Sequence, residues 1–167
     1  MKIKKNIKTG FTLIELLVVI AILGILATIG LGSYTSTQAK SRDARRKSDL
    51  ENVQKALEMY LNDFGSYPED DSGSIADFDW GQTFRDPDKA TTIYMKELPQ
   101  DPVSSQNYYY VSGDSWYKLY ARLENSNDIC FSNNSFCKSD GFLNTNCGSG
   151  SLCNYIAPSS NVTEYDN

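Results

Sequence analysis

A glycine, a phenylalanine and a lone carboxylate set the chemistry of the amino terminus. Gly10 is followed by Phe11-Thr12-Leu13-Ile14-Glu15, and the glycine leaves steric room for a nucleophile to reach the Gly10–Phe11 peptide bond. Hydrolysis there would create a new α-amino group on Phe11, one helical turn from Glu15. From Leu16 to Ala39 the chain carries no charged residue, about the length that crosses a ~30 Å hydrocarbon layer at ~1.5 Å rise per residue. A carboxylate at the edge of such a span costs free energy, a few kcal/mol at depth and less near the interface. Glu15 therefore calls for a partner, and a cation on a neighbouring subunit at the same depth would supply one.

Two plainer readings fit less well. A secretory signal peptide has a shorter apolar core and ends in a small-residue cleavage site, whereas here the run is long and Thr37-Gln38-Ala39 is a poor site. A simple signal anchor matches the length but has no use for Glu15. The compartment follows from the cysteines: Cys130, Cys137, Cys147 and Cys153 lie in a polar tail, which points to an oxidising environment and hence to a cytoplasmic amino terminus with an exported body. Basic residues flank the span on both sides and do not decide orientation.

The elements that must position these residues begin with a long helix. Leu50, Val53, Ala56, Leu57, Tyr60, Leu61 and Phe64 form one apolar stripe opposite Lys47, Glu51, Lys55, Glu58 and Asn62, the pattern of an amphipathic helix lying on a core. Gly65 stands where a left-handed C-cap belongs and Pro68 follows, so one helix is expected from Phe11 to Phe64, with a break near Ser33 to Ser36 as the alternative. Residues 69–89 read as an acidic loop. Asn107 to Val111 and Trp116 to Leu123 read as two strands joined by Ser112-Gly113-Asp114-Ser115. Tyr117, Leu119, Ala121 and Leu123 would face the helix, and Trp116, Lys118, Tyr120 and Arg122 would face outward. Eleven tyrosines, Tyr108-Tyr109-Tyr110 among them, suit subunit contacts and carbohydrate surfaces but equally suit strands, and the strand reading is preferred.

The cysteines are separated by six, nine and five residues. Zinc is disfavoured because no C-x2-C pair and no histidine is present, so two disulfides are expected. Three connectivities are open, and the nested one, Cys130 with Cys153 and Cys137 with Cys147, is preferred. The absence of histidine also removes the usual base for serine or cysteine nucleophiles. No paired-carboxylate or phosphate-loop motif stands out, so no catalytic role and no cofactor are expected; an anchored extracytoplasmic enzyme or binding protein is the remote alternative. Net charge is −5, and removing a leader with four lysines leaves −9, a poor charge for general nucleic-acid binding.

The junction resembles the class III signal of type IV pilins and type II secretion pseudopilins: a basic leader (Lys2, Lys4, Lys5, Lys8), Gly10, then Phe11 to Glu15. The resemblance implies that a prepilin peptidase cuts after Gly10 and N-methylates Phe11. It further implies that an assembly ATPase, through a membrane platform protein, extracts subunits from the cytoplasmic membrane into a helical homopolymer. Glu15 would then pair with the Phe11 amine of an adjacent subunit. The resemblance raises melting of the helix between Gly24 and Gly32, with Gly30 between them, in the filament; close helix packing is an equally open role of these glycines.

Tyr60 to Pro68 resembles the end of the long helix in G-type major pseudopilins, and Leu98-Pro99-Gln100-Asp101-Pro102 with Tyr108 and Tyr110 resembles that class's entry to its sheet. Where that class has a tryptophan, a glycine and a second proline, this chain has Val103 to Asn107. That departure and the cysteine tail tilt the expectation to a type IV pilus-like filament serving adhesion, twitching motility or DNA uptake. A type II secretion pseudopilin forming a periplasmic piston is the alternative. Calcium at Asp128 and Asp140 is raised by the same resemblance, but no D-x-D-x-D-G arrangement is present and no metal is assigned.

The expected fold is α+β: a long amino-terminal helix, transmembrane half plus amphipathic half, packed on a small antiparallel sheet with a disulfide-pinned tail. Residues 1–10 would be a cleaved leader and 11–39 the transmembrane and assembly half. Residues 40–167 would be the exported domain, with its helix to about 64, loop 69–89, sheet about 107–123 and cysteine-rich tail 130–153.

Overall fold

The computed structural model describes residues 10–89, 91–133, 136–142, 144–148 and 150–162, and within its helices the side chains of 29–33 and 133 fall outside the description. The leader lysines Lys2, Lys4, Lys5 and Lys8 also lie outside it. The chain divides into two compact units, one up to Gln38 and one from Ala39. Helix α1 is Leu13–Phe64, with no break at Ser33 to Ser36. In the first unit its apolar side chains, from Leu13 to Leu26, are exposed. Among the described residues no helix is long and apolar enough to cross a membrane. Within the expected span, described side chains stop at Thr28 and resume at Tyr34.

In the second unit the helical stripe is the core. Leu50, Val53, Ala56 and Leu57 are buried, with Tyr60 and Leu61 packed beside them; each fully buried Leu or Val contributes about 1.5–3 kcal/mol relative to exposure. Gly65 ends α1 at φ 77°, and its N–H donates to the Leu61 carbonyl at 2.7 Å, the left-handed cap that a side chain would oppose.

Among the described residues three small antiparallel sheets follow. β1 (Asp70–Asp71) pairs with β2 (Ser74–Ile75), and β3 (Phe84–Arg85) pairs with β4 (Ile93–Met95). The third sheet has the order β5 (Tyr109–Gly113), β6 (Trp116–Ala121), β7 (Tyr155–Pro158). Gly113 pairs with Trp116, so the turn is Asp114-Ser115, and β5 sits two residues later than the sequence pattern placed it. The acidic stretch 69–89 is not wholly loop, since it carries β1, β2 and β3. A short helix, α2 (Ile129–Asn133), opens the tail.

Tyr117, Leu119 and Ala121 are buried in one cluster with the α1 stripe as their alternation requires, and Leu123 is buried as well. The opposite face departs from expectation, because Lys118 and Tyr120 are buried as well. The tail folds back over that face, and Tyr120, Phe142, Cys147, Cys153 and Ile156 form a second apolar cluster there. The sheet is therefore covered on both sides, which alternation along one strand does not reveal.

The disulfides are local: Cys130 with Cys137 and Cys147 with Cys153, at Cα separations of 5.5 and 5.1 Å. The nested pairing is thus overturned. Its physical reason is a tight hairpin at 145–153. There Cys153 N–H donates to the Thr145 carbonyl, Cys147 N–H donates to the Ser151 carbonyl, and Gly148 and Gly150 take positive φ. The two cysteines meet across that turn. Each short loop is worth about 2–3 kcal/mol in the chain-entropy picture.

The tyrosines do two jobs. Their rings fill the space between α1 and the strands, while their hydroxyls reach acceptors on or just after the helix. Tyr108 donates to Asp49 (2.8 Å), Tyr67 to Glu58 (2.9 Å), Tyr94 to Asp63 (2.9 Å) and Tyr110 to the Pro68 carbonyl (2.8 Å). Burial, then the hydrogen bond to Glu58, push the Tyr67 phenol up to about 12.

The two connectivities differ in a simple digest. Trypsin cuts after Arg122 and Lys138, and Lys138 separates the observed disulfides. Digestion of the denatured, unreduced protein is expected to release 123–138 and 139–167 as separate peptides, each lighter than its reduced form by the mass of two hydrogens. One cross-linked species joining them in the mass spectrum would contradict this pairing.

Candidate functional site

The amino-terminal junction is built from two local devices. Gly10 is exposed with no heavy atom within 4 Å of where a Cβ would stand, and Phe11 is 78% exposed. The peptide bond between them is open to attack. Three residues further on, the chain enters α1 through a capping box: the Thr12 N–H and hydroxyl donate to Glu15 Oε2 at 2.8 and 2.7 Å, and the Glu15 N–H donates to Thr12 Oγ1 at 3.3 Å. The T-x-x-E spacing makes this reciprocal pairing possible, and it satisfies amide donors that a helix start leaves without partners. Both Thr12 bonds end on Oε2, and among the described residues none is bonded to Oε1. Glu15 thus has a local structural task beside the intersubunit one expected from sequence. Gly24, Gly30 and Gly32 are all helical.

A second constellation fixes the carboxyl-terminal half of α1 to the domain. Arg46 is fully buried, and its five N–H donors all find acceptors. Nε and Nη2 grip Asp101 in a bidentate pair at 2.7 and 2.8 Å. Nη1 reaches Asp43 at 2.8 Å and Glu124 at 2.7 Å, and Nη2 also meets Gln106 at 3.2 Å. Arg42 closes the outer side with two bonds to Glu124 at 2.7 and 2.5 Å. Asp43 in turn accepts the N–H groups of Glu124 and Asn125, while Asp101 accepts that of Val103.

Burial works against the Arg46 charge, yet its hydrogen bonds to Asp101 and Glu124 outweigh it and hold the guanidinium above the ordinary arginine value. Hydrogen bonds from Arg42, partly offset by burial, and then from Arg46 hold the Glu124 carboxyl at about 2. Among the described residues no buried side-chain nitrogen or oxygen lacks a partner, the condition under which buried charges are tolerated.

Sequence reasoning started the helical stripe at Leu50 and missed this cluster. The signal was present: Asp43, Arg46, Leu50, Val53 and Leu57 recur at steps of three and four, so the two charges extend the buried face. Asp101 is the aspartate of Leu98-Pro99-Gln100-Asp101-Pro102, and its role is to receive Arg46.

The four cysteines form the two disulfides described above, with no free thiol among the described residues. Asp128 takes part in local bonding through one oxygen, Oδ1. It accepts Lys47 Nζ at 2.7 Å and the Cys130 N–H at 3.0 Å. Among the described residues no group of three or more potential ligands is placed to hold a metal.

Residues 5–31 match the family model described as the prokaryotic N-terminal methylation motif, and residues 33–122 match that of type II secretion system (T2SS), protein G. The chain is 32% identical over 111 residues to the type II secretion system core protein G of Vibrio cholerae, covering 66% of this chain and 76% of that protein. It is 35% identical over 100 residues to the protein of the same name from Aeromonas hydrophila, covering 59% and 70%. It is also 42% identical over 59 residues to the type IV major fimbrial protein FimA of Dichelobacter nodosus, covering 35% and 38%. No solved structure matches. Val103 to Asn107 lie inside the protein G match, so their departure from the usual pattern does not favour a pilus. The cysteines lie beyond the matched region.

The clamp makes stability sensitive to acid. Glu124, at about 2 in the folded state against an ordinary 4.5, contributes stability that is complete above the unfolded value and is lost as pH falls from about 4.5 toward about 2. Chemical denaturation across that window is expected to show the loss, and Glu124→Gln should flatten it. Asp101→Ala, which strands the guanidinium, is expected to cost about 3–5 kcal/mol at neutral pH; a change below 1 kcal/mol would refute the clamp.

Proposed function

The chain belongs to the type II secretion system protein G family, and on that premise we propose that it is a pseudopilin, the structural subunit of a secretion filament. A pilin-like structural role follows from the family. The secretion assignment rests on one observation: the protein G match covers residues 33–122, the segment that contains the Arg46–Asp101 clamp and the first two strands of the main sheet. The short fimbrial likeness, 59 residues, supports the filament class without favouring a surface pilus.

In this reading the peptidase cleaves the exposed Gly10–Phe11 bond and methylates the new amine on Phe11. The uncharged run from Leu16 to Ala39 holds the precursor in the cytoplasmic membrane with its domain in the periplasm. An assembly ATPase and a platform protein then move subunits into the fibre. The exposed apolar residues of α1 exchange lipid for neighbouring helices, so van der Waals packing between helices supplies most of the cohesion. The methylated ammonium of one Phe11 would approach Oε1 of a neighbour's Glu15 while Oε2 keeps its bonds to Thr12, so the helix start need not fray when the ion pair forms. Helix melting between Gly24 and Gly32 would belong to the assembled state. No catalytic role is proposed.

Deleting the gene is expected to abolish export of the system's protein cargo to the medium while leaving surface pili unchanged. Loss of pili with export intact would move the assignment to a pilus. The Glu15 mechanism is separable from its capping role. Glu15→Gln keeps an acceptor for Thr12 but removes the charge, whereas Glu15→Ala loses both, at a capping-box cost of about 0.3–1.5 kcal/mol. Both variants should insert in the membrane and fail to assemble when filaments are recovered and quantified; a Gln variant that assembles like the wild type would sink the ion-pair mechanism.

A further inference from the structure

A cleft of about 540 Å³ opens between the β1–β2 hairpin and residues 100–109, wholly within the second unit. We propose that it binds a neutral oligosaccharide. Its size is that of small-molecule sites, but its lining is polar rather than greasy. The side chains of Asp79, Gln100, Asn107 and Asn146 stand around it and are exposed. Each amide pairs a donor with an acceptor in one plane and the carboxylate adds two acceptors, which suits the adjacent hydroxyls of a sugar ring.

The second requirement for a sugar is an aromatic face for its C–H surface, and Trp80 and Tyr109, both half-buried, supply it. These rings are held in place before any ligand arrives. The Gly73 carbonyl accepts the Trp80 indole N–H at 3.3 Å and the Tyr110 N–H at 2.8 Å. Gly73 itself lies so close beneath Tyr109 that a Cβ would stand 2.5 Å from the ring. Trp80 is braced edge-on against Tyr108, with ring centroids 5.5 Å apart. An aromatic platform fixed by backbone contacts loses little freedom on binding.

Charge selects the ligand class. Among the lining residues there is no lysine or arginine. The nearby guanidinium of Arg46 is fully buried and committed to its carboxylates. Asp101 contributes to the lining, but its oxygens are engaged by Arg46 and the Val103 N–H. Exposed Asp79 then repels phosphates, sulfates and acidic sugars, leaving uncharged hexoses and N-acetylhexosamines as the fitting chemistry. The proposal stands on the cleft and holds equally for a secretion filament and for a pilus.

The test is saturation-transfer difference NMR on the full chain in lauryldimethylamine-oxide micelles, which carry no sugar headgroup. Cellobiose, maltose, chitobiose and N-acetyllactosamine would be titrated singly, with inorganic phosphate as the charged control. At least one disaccharide should receive saturation at its ring protons. Trp80→Leu should weaken binding roughly tenfold and Asn107→Ala roughly fivefold. If Trp80→Leu fails to fold, Asn107→Ala decides, since that side chain is exposed. No transfer to any of the four sugars in protein with a dispersed amide spectrum would overturn the proposal. So would unchanged affinity in Asn107→Ala, or phosphate binding at the same site.

Discussion

A guanidinium removed from water has to find every hydrogen-bond partner inside the protein, and that constraint organises the unit from Ala39 onward. Arg46 sends five bonds to four residues, Asp43, Asp101, Gln106 and Glu124. These residues lie on α1, on the loop before the main sheet and just after β6. Their sequence separations from Arg46 reach 78 residues, so one side chain ties the helix to segments that the chain brings together only on folding. A purely apolar contact would tolerate sliding of α1 along the sheet. The bidentate grip on Asp101 does not, because both oxygens of a planar carboxylate must stay aligned with a planar fork.

With the helix fixed, the rest of the domain is arranged around it in two layers. Tyrosines carry their hydroxyls to Asp49, Glu58 and Asp63, extending polar fastening down the helix from the Arg46 end. On the far side of the sheet the tail supplies a cover that contains few large apolar residues. Two short disulfides and a tight hairpin hold Cys147, Cys153 and Phe142 against Tyr120 and Ile156. Local crosslinks suit this task, since the tail needs its shape fixed more than it needs distant segments joined.

The legible parts of the sequence were those written in short spacings. Gly10, Phe11 and Glu15 announced the junction, the stripe from Leu50 to Leu61 announced the amphipathic half of α1, and Gly65 marked its end. Tyr117, Leu119 and Ala121 gave the inward face of β6. Less legible were features set by pairs far apart in the chain. Arg46 looks like one more basic residue in a charged stretch until Asp101 and Glu124 meet it. Tyr120 and Lys118 look outward until the tail covers them. The cysteine pairing depended on the turn at Gly148 and Gly150, whose positive φ values bring Cys147 back to Cys153. Thr12, three residues before Glu15, carried the capping-box signal in plain sight, eclipsed by the more conspicuous carboxylate.

The clamp commits the carboxyl-terminal half of α1 to its domain, while the apolar residues from Leu13 to Leu26 stay exposed, and the proposed filament assembly would use that division. The most direct test of that division is the intact mass and amino-terminal sequence of the chain recovered from assembled filaments. The expected protein begins at N-methylated Phe11 and is lighter by the four hydrogens of two disulfides. A chain that still begins at Met1, found only in the membrane fraction, would contradict it.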